Sequence, residues 1–205
     1  AAVDPVEMPA TPKPATRSRL PVAPEELAIT SPIPQDLTPL FGRDEELQAL
    51  RHLIQQQRVV SVVGPGGVGK TRLAMESARA WQARSASPVC VLELSASTPG
   101  GPMAEVLARA LGVTLPGHRD SLAELADLLR HRSVLLLVDN CEHRLDEVAS
   151  LVETLMRQTE LVRVLATSRA PLRTPGEHVY RLEPLGLPAD TADAPTALRA
   201  GAVSL

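Results

Sequence analysis

Residues 64–71 form the stretch of this sequence that most narrows what the chain can fold into. They read Gly-Pro-Gly-Gly-Val-Gly-Lys-Thr and match the pattern G-x-x-x-x-G-K-[ST] at every fixed position. The residues before the stretch, 60–63, are almost wholly apolar, as expected of a buried strand, and the Ala-rich residues after it, 72–84, predict a helix. A glycine-rich loop between a strand and a helix predicts a phosphate-binding loop and an α/β fold.

This loop is expected to bind phosphate through its backbone. Glycine lacks a Cβ, so the chain can turn its N–H groups inward around an anion. The helix that follows adds roughly +0.5 charge at its N-terminus. Lys70 is expected to reach the β- and γ-phosphates of ATP or ADP, and the Thr71 hydroxyl to bind Mg²⁺. The residues predicted to bind the nucleotide from this motif are Gly64, Gly66, Gly67, Val68, Gly69, Lys70, Thr71 and Arg72. The alternative is a glycine-rich turn that carries Lys-Thr by chance.

The composition argues against several other classes of protein. Hydrophobic residues make up 44% of the 205 residues, but aromatic residues only 1%, so Leu, Val and Ala must fill the core. A net charge of −3 gives no electrostatic reason to expect nucleic-acid binding by this segment. No apolar run approaches the roughly 20 residues of a membrane span, and no secretory signal is recognisable. Cys90 and Cys141 are therefore predicted to be buried thiols of a cytoplasmic protein.

Proline-rich stretches divide the chain into three parts. Residues 1–39 hold nine of the 19 prolines, and such a stretch forms neither a helix nor an interior strand. We therefore predict an interdomain linker over 1–38, a P-loop NTPase domain over 39–188, and a second linker with the start of a helical domain over 189–205. The first residue is Ala rather than Met, which favours a fragment of a longer polypeptide; a disordered natural N-terminus is the alternative for the first part.

Between the linkers, strands and helices are predicted to alternate. Apolar residues at helical spacing predict helices over 43–57, 72–84, 102–111, 121–131 and 145–158. Short apolar runs predict strands over 59–63, 88–94, 134–138, 161–166 and 178–182. This order implies right-handed β-α-β crossovers and a parallel five-stranded sheet sandwiched between helices. Ligands of such a sheet bind at the carboxyl ends of its strands.

Asp139 directly follows the strand predicted over 134–138, about 70 residues after Lys70. This is the Walker B arrangement, in which the carboxylate holds Mg²⁺ through water while the hydroxyl of Thr71 binds the ion directly. Thr71 and Asp139 are therefore the predicted metal residues. The alternative is that Asp139 only caps a turn or a helix.

Asn140 stands where many P-loop ATPases carry the glutamate that acts as general base. An amide can position a water molecule but cannot accept its proton. Glu142 and His143 are close enough in sequence to be candidates for that role, with a surface glutamate and a capping histidine as the alternatives. Hydrolysis of ATP is therefore expected to be slow.

Arg169 lies just beyond the strand predicted over 161–166. A guanidinium at this strand end can point at the γ-phosphate and report its presence. The alternative is an ion pair with a nearby acid such as Glu177. The predicted catalytic residues are then Lys70, Asp139, Glu142 and Arg169.

Several stretches together resemble a known family. Residues 40–43 (Leu-Phe-Gly-Arg) resemble the motif at the entry to NB-ARC-like domains of the STAND class of P-loop ATPases. Residues 135–143, 165–172 and 175–182 resemble a bacterial subgroup that includes the large regulators of the Streptomyces antibiotic regulatory protein (SARP) type. The resemblance implies that Phe41, Gly42 and Arg43 border the adenine and ribose, and that Arg169 is the sensor arginine. It also implies a transcriptional regulator with a DNA-binding region before the ATPase and helical domains after it.

The sequence thus favours an ATP/ADP switch module with weak ATPase activity. ADP is expected to hold the protein closed, and ATP to favour an open state that forms homo-oligomers or activates transcription. The expected partners are the nucleotide and other domains of the same polypeptide, with DNA and RNA polymerase bound only through those other domains and no membrane. Two alternatives remain: a conventional P-loop ATPase or small-molecule kinase, and a degenerate domain that binds partners but no nucleotide.

Overall fold

The computed structural model describes residues 27–29, 32–34, 40, 42–94, 101–115 and 121–185. Its helices are α1 (Asp44–Gln56), α2 (Lys70–Ser85), α3 (Met103–Leu111), α4 (Ser121–Leu129) and α5 (Leu145–Gln158). Its strands are β1 (Val59–Val63), β2 (Val89–Glu93), β3 (Val134–Asp139), β4 (Val162–Ser168) and β5 (Glu177–Arg181), and a short 3-10 helix spans Cys141–His143. Every predicted strand and helix of the NTPase domain is present, and the 3-10 helix was not predicted. The helix start expected within 189–205 lies outside the described residues.

The five strands form one parallel sheet in the order β2-β3-β4-β1-β5. The α/β P-loop NTPase fold with a five-stranded parallel sheet, predicted from the apolar runs, is thereby confirmed. Residues of β3 are buried along its whole length, because neighbouring strands flank it and helices cover both of its faces. The carboxyl ends of β1, β3 and β4 meet at one edge of the sheet, where the phosphate loop begins.

Alternate residues along the strands point into two separate apolar clusters, one on each face of the sheet. Helices α1 and α2 cover one face, with Leu50, Ile54 and Leu73 fully or almost fully buried. Helices α3, α4 and α5 cover the other face, with Leu107, Leu125 and Leu151 among their fully or almost fully buried residues. Aliphatic residues supply nearly all of this packing, as the low aromatic content predicted.

Two short stretches of the segment predicted as a linker pack against this core. We call residues 27–29 and 32–34 the N-terminal strap. Leu27 and Ile29 pack on the cluster under α3, α4 and α5, whereas Ile33, only 8% exposed, is buried in the cluster under α1 and α2. Pro34 accepts a hydrogen bond of 2.7 Å from Arg79 of α2. The strap therefore contacts both helical layers.

The end of α3 is shaped to receive the strap. Gly112 follows this helix with φ +69°, a left-handed conformation that favours glycine. A Cβ on Gly112 would lie 2.0 Å from the carbonyl oxygen of Ala28, so any side chain here would push the strap away. Among the helices described, none is long and apolar enough to cross a membrane.

Candidate nucleotide-binding site

The phosphate loop opens onto a cavity of about 450 Å³ at the carboxyl edge of the sheet. The cavity combines residues from the ends of β1, β3 and β4 with the first turns of α2. Its lining residues are Gly66, Gly67, Gly69, Lys70, Thr71, Arg72, Met75, Asn140, Glu142 and Arg169. The structure thus brings together the residues that the sequence predicted from three separate stretches.

The backbone of the loop has the conformation that its glycines allow. Gly67 has φ +75° and Gly69 has φ +96°, and Gly69 directly precedes the first residue of α2. A side chain at Gly69 would be strained, although no atom lies within 4 Å of the position that its Cβ would take. The loop and the helix N-terminus therefore leave an open concave space beside the positive end of the helix.

Lys70 lies across this loop. Its side chain is 7% exposed, and its Nζ donates a hydrogen bond of 2.8 Å to the carbonyl oxygen of Pro65. An ammonium group has three donors, so two remain for an anion in the loop. The loop carbonyl thus holds the lysine charge beside the space where a phosphate would lie.

Thr71 and Asp139 meet at the base of the cavity. The Thr71 hydroxyl donates to Asp139 Oδ1 at 2.7 Å, and the Thr167 hydroxyl donates to the same oxygen at 2.5 Å. Thr167 is fully buried and lies on β4, between β3, which ends in Asp139, and β1, which leads into the phosphate loop before Thr71. Sequence reasoning assigned no role to Thr167. Its position at the end of a strand next to Arg169 was the available signal.

These groups fit a magnesium ion bound together with phosphates. Because the Thr71 hydroxyl gives its proton to Asp139, the lone pairs of its oxygen remain for a cation. Mg²⁺ uses few protein oxygens when phosphates supply the others. Within the described ranges, no group of three or more His, Cys, Asp or Glu residues could hold a metal by itself. The Thr71 oxygen and the Asp139 carboxylate are therefore the ligands that this site would offer.

Asn140 adopts the left-handed conformation, with φ 59° and ψ 46°. Its backbone N–H donates to Thr167 Oγ1 at 3.1 Å, and its side-chain amide donates to Asp139 Oδ2 at 3.1 Å. Asparagine tolerates this conformation better than most residues. The turn starts the 3-10 helix Cys141–His143, which places Glu142 on the wall of the cavity.

Arg169 forms an ion pair with Glu142, with 3.1 Å between Nε and Oε1. The guanidinium is 66% exposed and the carboxylate 14% exposed. The second oxygen, Oε2 of Glu142, is buried and has no hydrogen-bond partner in the part of the chain that the structure describes. Glu177, the acid that the sequence offered as an alternative partner, instead accepts the backbone N–H groups of Leu172 and Arg173. The two predicted functional residues thus hold each other on the wall of the phosphate cavity.

Arg43 is buried at 6% exposure behind the loop. Its guanidinium donates to the carbonyl oxygens of Val68, at 3.3 Å, and Glu183, at 2.8 Å, and it pairs with Glu46 at 2.5 Å. It therefore ties the phosphate loop to the chain that leaves β5. Gly42 precedes it with φ 63°, and Phe41 lies outside the described residues.

The two cysteines are inert thiols rather than site residues. Both are buried and free. Burial raises the pKa of Cys90 to about 12. Burial, with the negative charges of Asp139 and Glu142 adding to it, raises the pKa of Cys141 to about 12. Both thiols therefore stay protonated near neutral pH, as the prediction of buried thiols requires.

Fold and site together define a P-loop ATPase module that binds nucleotide. Within this class the chain belongs to the AAA ATPase domain family, whose model matches residues 39–167.

The chain is also similar to proteins of mycobacteria. It is 37% identical over 138 residues to a "Putative HTH-type transcriptional regulator" of Mycobacterium tuberculosis, a match that covers 67% of this chain and 15% of the relative. An uncharacterized protein of the same species is 29% identical over 157 residues, covering 77% of this chain and 40% of that protein. The chain thus spans only about 15% of the length of the regulator.

Solved structures with a similar arrangement share less sequence. One is a Drosophila ORC structure bound to DNA, with a TM-score of 0.49 and 20% identity over 68% of this chain and 42% of that chain. Another is a Signal Transduction ATPase with Numerous Domains (STAND) protein of Pyrococcus horikoshii that has a tetratricopeptide repeat sensor. Its TM-score is 0.46 and its identity 19%, over 80% of this chain and 26% of that chain.

Proposed function

We propose that this chain is the ATP/ADP-binding switch module of a multidomain bacterial transcriptional regulator. The observation that carries the proposal is the hydrogen bond between Thr71 and Asp139, directly beneath an open phosphate loop. The Thr71 hydroxyl and the Asp139 carboxylate, 2.7 Å apart, are the two groups that a nucleotide-bound Mg²⁺ needs from the protein. When bound, the ion would offset the negative charge of the phosphates.

The other site residues take roles that follow from their positions. The N–H groups of 66–71 would surround the β-phosphate, with Lys70 bridging towards the γ-phosphate. Arg43 fixes the loop by holding Val68, and Gly42 allows the turn that brings it there. Arg72, which lines the cavity, and Val68 of the loop are proposed as further neighbours of the nucleotide. Phe41 is proposed as an adenine neighbour on the strength of the family resemblance.

The ion pair between Glu142 and Arg169 supports a switch role. A γ-phosphate carries more charge than a single carboxylate and would compete for the exposed guanidinium of Arg169. With ADP the pair with Glu142 would persist; with ATP it would open. This difference in contacts gives the two nucleotides different affinities for two states, which any switch requires.

Hydrolysis is proposed to be slow. The side-chain amide of Asn140 is engaged by Asp139, and an amide cannot take a proton from water. Glu142, a carboxylate on the wall of the cavity, could do so, but it is paired with Arg169. Breaking this ion pair before Glu142 can act as general base would raise the barrier to hydrolysis.

The remaining proposals concern the whole polypeptide. The relative named as a transcriptional regulator and the motif resemblance support a STAND protein with an NB-ARC-like domain, of the SARP type. Residues 39–188 would then be the ATPase domain, 1–38 a linker from a DNA-binding region, and 189–205 the approach to a helical domain. Such a regulator would act in the cytoplasm, reach DNA and RNA polymerase through its other domains, and form homo-oligomers with ATP.

Thermal or urea unfolding with nucleotide and Mg²⁺ tests the binding step. A ligand at 100 times its dissociation constant should stabilise the chain by about 2.7 kcal/mol. Lys70→Ala should abolish this gain, whereas Arg157→Ala, an exposed arginine of α5 on the other side of the sheet, should keep it. No gain with ATP or ADP in the unaltered chain would favour a degenerate domain.

The switch step needs a comparison of two nucleotides. Glu142→Gln and Arg169→Ala should change the ratio of the affinities for ADP and a non-hydrolysable ATP analogue, while Arg157→Ala should leave this ratio unchanged. In the full-length protein, ATP should change oligomerisation and ADP should not. Equal affinity ratios in all variants would contradict the switch, and rapid turnover or phosphate transfer to an acceptor would favour a conventional ATPase or kinase.

A further inference from the structure

A second cavity, of about 210 Å³, lies between α1 and α2 and shares no lining residue with the phosphate site. Arg51 and Ile54 of α1 and Ala80, Trp81 and Arg84 of α2 form its walls. Trp81 is eleven residues beyond Lys70 on the same helix, about 16 Å along the axis at 1.5 Å per residue. The cavity is therefore at the end of α2 remote from the nucleotide.

The charged groups of this cavity are the guanidinium groups of Arg51 and Arg84. Nε of Arg51 and Nε1 of Trp81 are buried in its wall and have no hydrogen-bond partner among the described residues. No carboxylate lines the cavity, and neither Arg51 nor Arg84 forms an ion pair within the described residues. Two arginine charges that lack a carboxylate partner favour an acidic group from outside this part of the chain.

The charge at a helix end accounts for Arg84 but not for Arg51. Arg84 lies in the last turn of α2, where a cation is favourable, but the last carbonyls of α1 are already satisfied. Arg163 donates to the carbonyl oxygens of Ile54 and Gln57, at 2.9 and 2.8 Å, and its guanidinium stacks over the Trp81 ring at 5.3 Å. Arg51 is thus an additional charge beside an aromatic surface that already carries one cation.

We propose that this cavity binds an acidic side chain of a polypeptide segment from another domain of the same protein. The volume is below the roughly 300 Å³ at which small-molecule sites begin, and it suits one or two side chains. The guanidinium groups of Arg51 and Arg84 match a carboxylate, while Ile54, Ala80 and the Trp81 ring match an apolar neighbour of that carboxylate. The match to a regulator of which this chain spans about 15% shows how much further polypeptide such proteins contain.

This inference rests on the proposed function only in treating the chain as a module of a larger protein. The surface lies at the far ends of α1 and α2, and both helices begin beside the phosphate loop. Arg43, the residue before α1, holds Val68 of that loop, and α2 starts with Lys70. A segment docked in this cavity would therefore contact the same two helices as the nucleotide.

Trp81 reports on the cavity directly, because it is the only tryptophan of the chain and gives one indole N–H signal in NMR spectra. The probe is the peptide acetyl-Ala-Leu-Glu-Asp-Leu-Ala-amide, compared with its neutral isostere containing Gln and Asn. The acidic peptide should shift the Trp81 signal saturably, and the isostere should bind at least about tenfold more weakly. No shift with the acidic peptide, or equal binding of the two, would overturn the proposal.

Three variants locate the binding. Arg51→Gln removes charge, and Ala80→Met fills the cavity while keeping both arginines; each should weaken peptide binding at least about tenfold. Arg157→Gln on α5 is the matched control and should bind normally. Unchanged binding in the first two variants would refute the site, and an equal shift with sodium acetate or phosphate would assign the cavity to small anions.

Affinity for ADP, measured in the same samples, separates this inference from the proposed function. Arg51→Gln and Ala80→Met should retain ADP binding, which also shows that they fold. If the chain bound the acidic peptide but no nucleotide, the proposed function would fail and the cavity assignment would stand. The converse result would remove only the cavity assignment.

Discussion

At the scale of single residues, the site depends on Thr167 as much as on the residues of the recognised motifs. Its hydroxyl donates a hydrogen bond to Asp139 and accepts one from the backbone N–H of Asn140, so one side chain supplies hydrogen bonds to two site residues. The Walker B motif identifies Asp139, but Thr167 on the adjacent strand fixes the direction of the Asp139 carboxylate. Positioning of this kind comes from sheet order, which the motif does not encode.

Replacing Thr167 by valine tests this account. The change keeps the shape but removes the donor to the buried Asp139 carboxylate and the acceptor of the part-buried Asn140 N–H, so the free energy of unfolding should fall by about 1–3 kcal/mol. Urea unfolding measures the loss. Thr154→Val is the control, because that hydroxyl bonds only to the carbonyl of Ser150 on the exposed side of α5, and it should cost less than about 0.5 kcal/mol. Equal costs would contradict a special role for Thr167.

The buried thiols give a prediction about pH. Their pKa of about 12 in the folded state exceeds the ordinary value near 8.5 of an unfolded cysteine. The unfolded chain therefore loses these protons first, and the stability contributed by Cys90 and Cys141 is present below about pH 8.5 and is lost as pH rises towards 12. The slope should approach about 1.4 kcal/mol per pH unit for each thiol. Urea unfolding between pH 8 and 10 measures it.

A double variant, Cys90→Ala with Cys141→Ala, should flatten this slope. The comparison is best made below pH 10, because burial also raises the pKa of Tyr180 and adds a loss of the same sign at higher pH. In the unaltered folded chain, both thiols should resist Ellman's reagent at pH 8 and react after unfolding. Rapid reaction in the folded state would contradict their burial.

At the scale of elements, the N-terminal strap belongs with the helical layers that it contacts. Ile33 is buried beneath α1 and α2, so Ile33→Ala should reduce the free energy of unfolding by about 2–4 kcal/mol. Leu161→Ala changes a 50% exposed side chain and should cost less than about 1 kcal/mol. Removing residues 1–26 should change stability little, whereas removing 1–38 should destabilise the chain at least as much as Ile33→Ala. Equal stability of the two truncated chains would show that the strap contributes nothing.

At the scale of the whole molecule, the element order was predictable because apolar runs and helical spacing mark buried segments directly. Leu145–Gln158 and Val59–Val63 begin and end where the sequence predicts. The order of strands in the sheet was not predictable in this way, since neighbours in a parallel sheet are set by crossovers rather than by position in the chain. For this reason the acid considered as a partner of Arg169 was Glu177, eight residues away in sequence. Its partner in the structure is Glu142, which follows β3, the strand next to β4.

Two features, the N-terminal strap and the cavity between α1 and α2, were not predicted from the sequence. Proline-rich residues 1–38 predicted a linker, and the apolar positions between those prolines, Leu27, Ile29 and Ile33, were the signal of packing. Arg51 and Trp81 fitted the helical pattern so well that nothing marked them as walls of a cavity. Residues that fit a helical pattern cannot be recognised from the sequence as the walls of a cavity.

The strap has a mechanical consequence. Pro34 accepts a hydrogen bond from Arg79 on α2, and Ala28 lies against Gly112 at the end of α3. A force applied to the chain before the strap would therefore be transmitted to these two helices. Helix α2 begins with the lysine of the phosphate loop. A force on the strap would therefore reach the helix that carries Lys70 through the contact between Pro34 and Arg79.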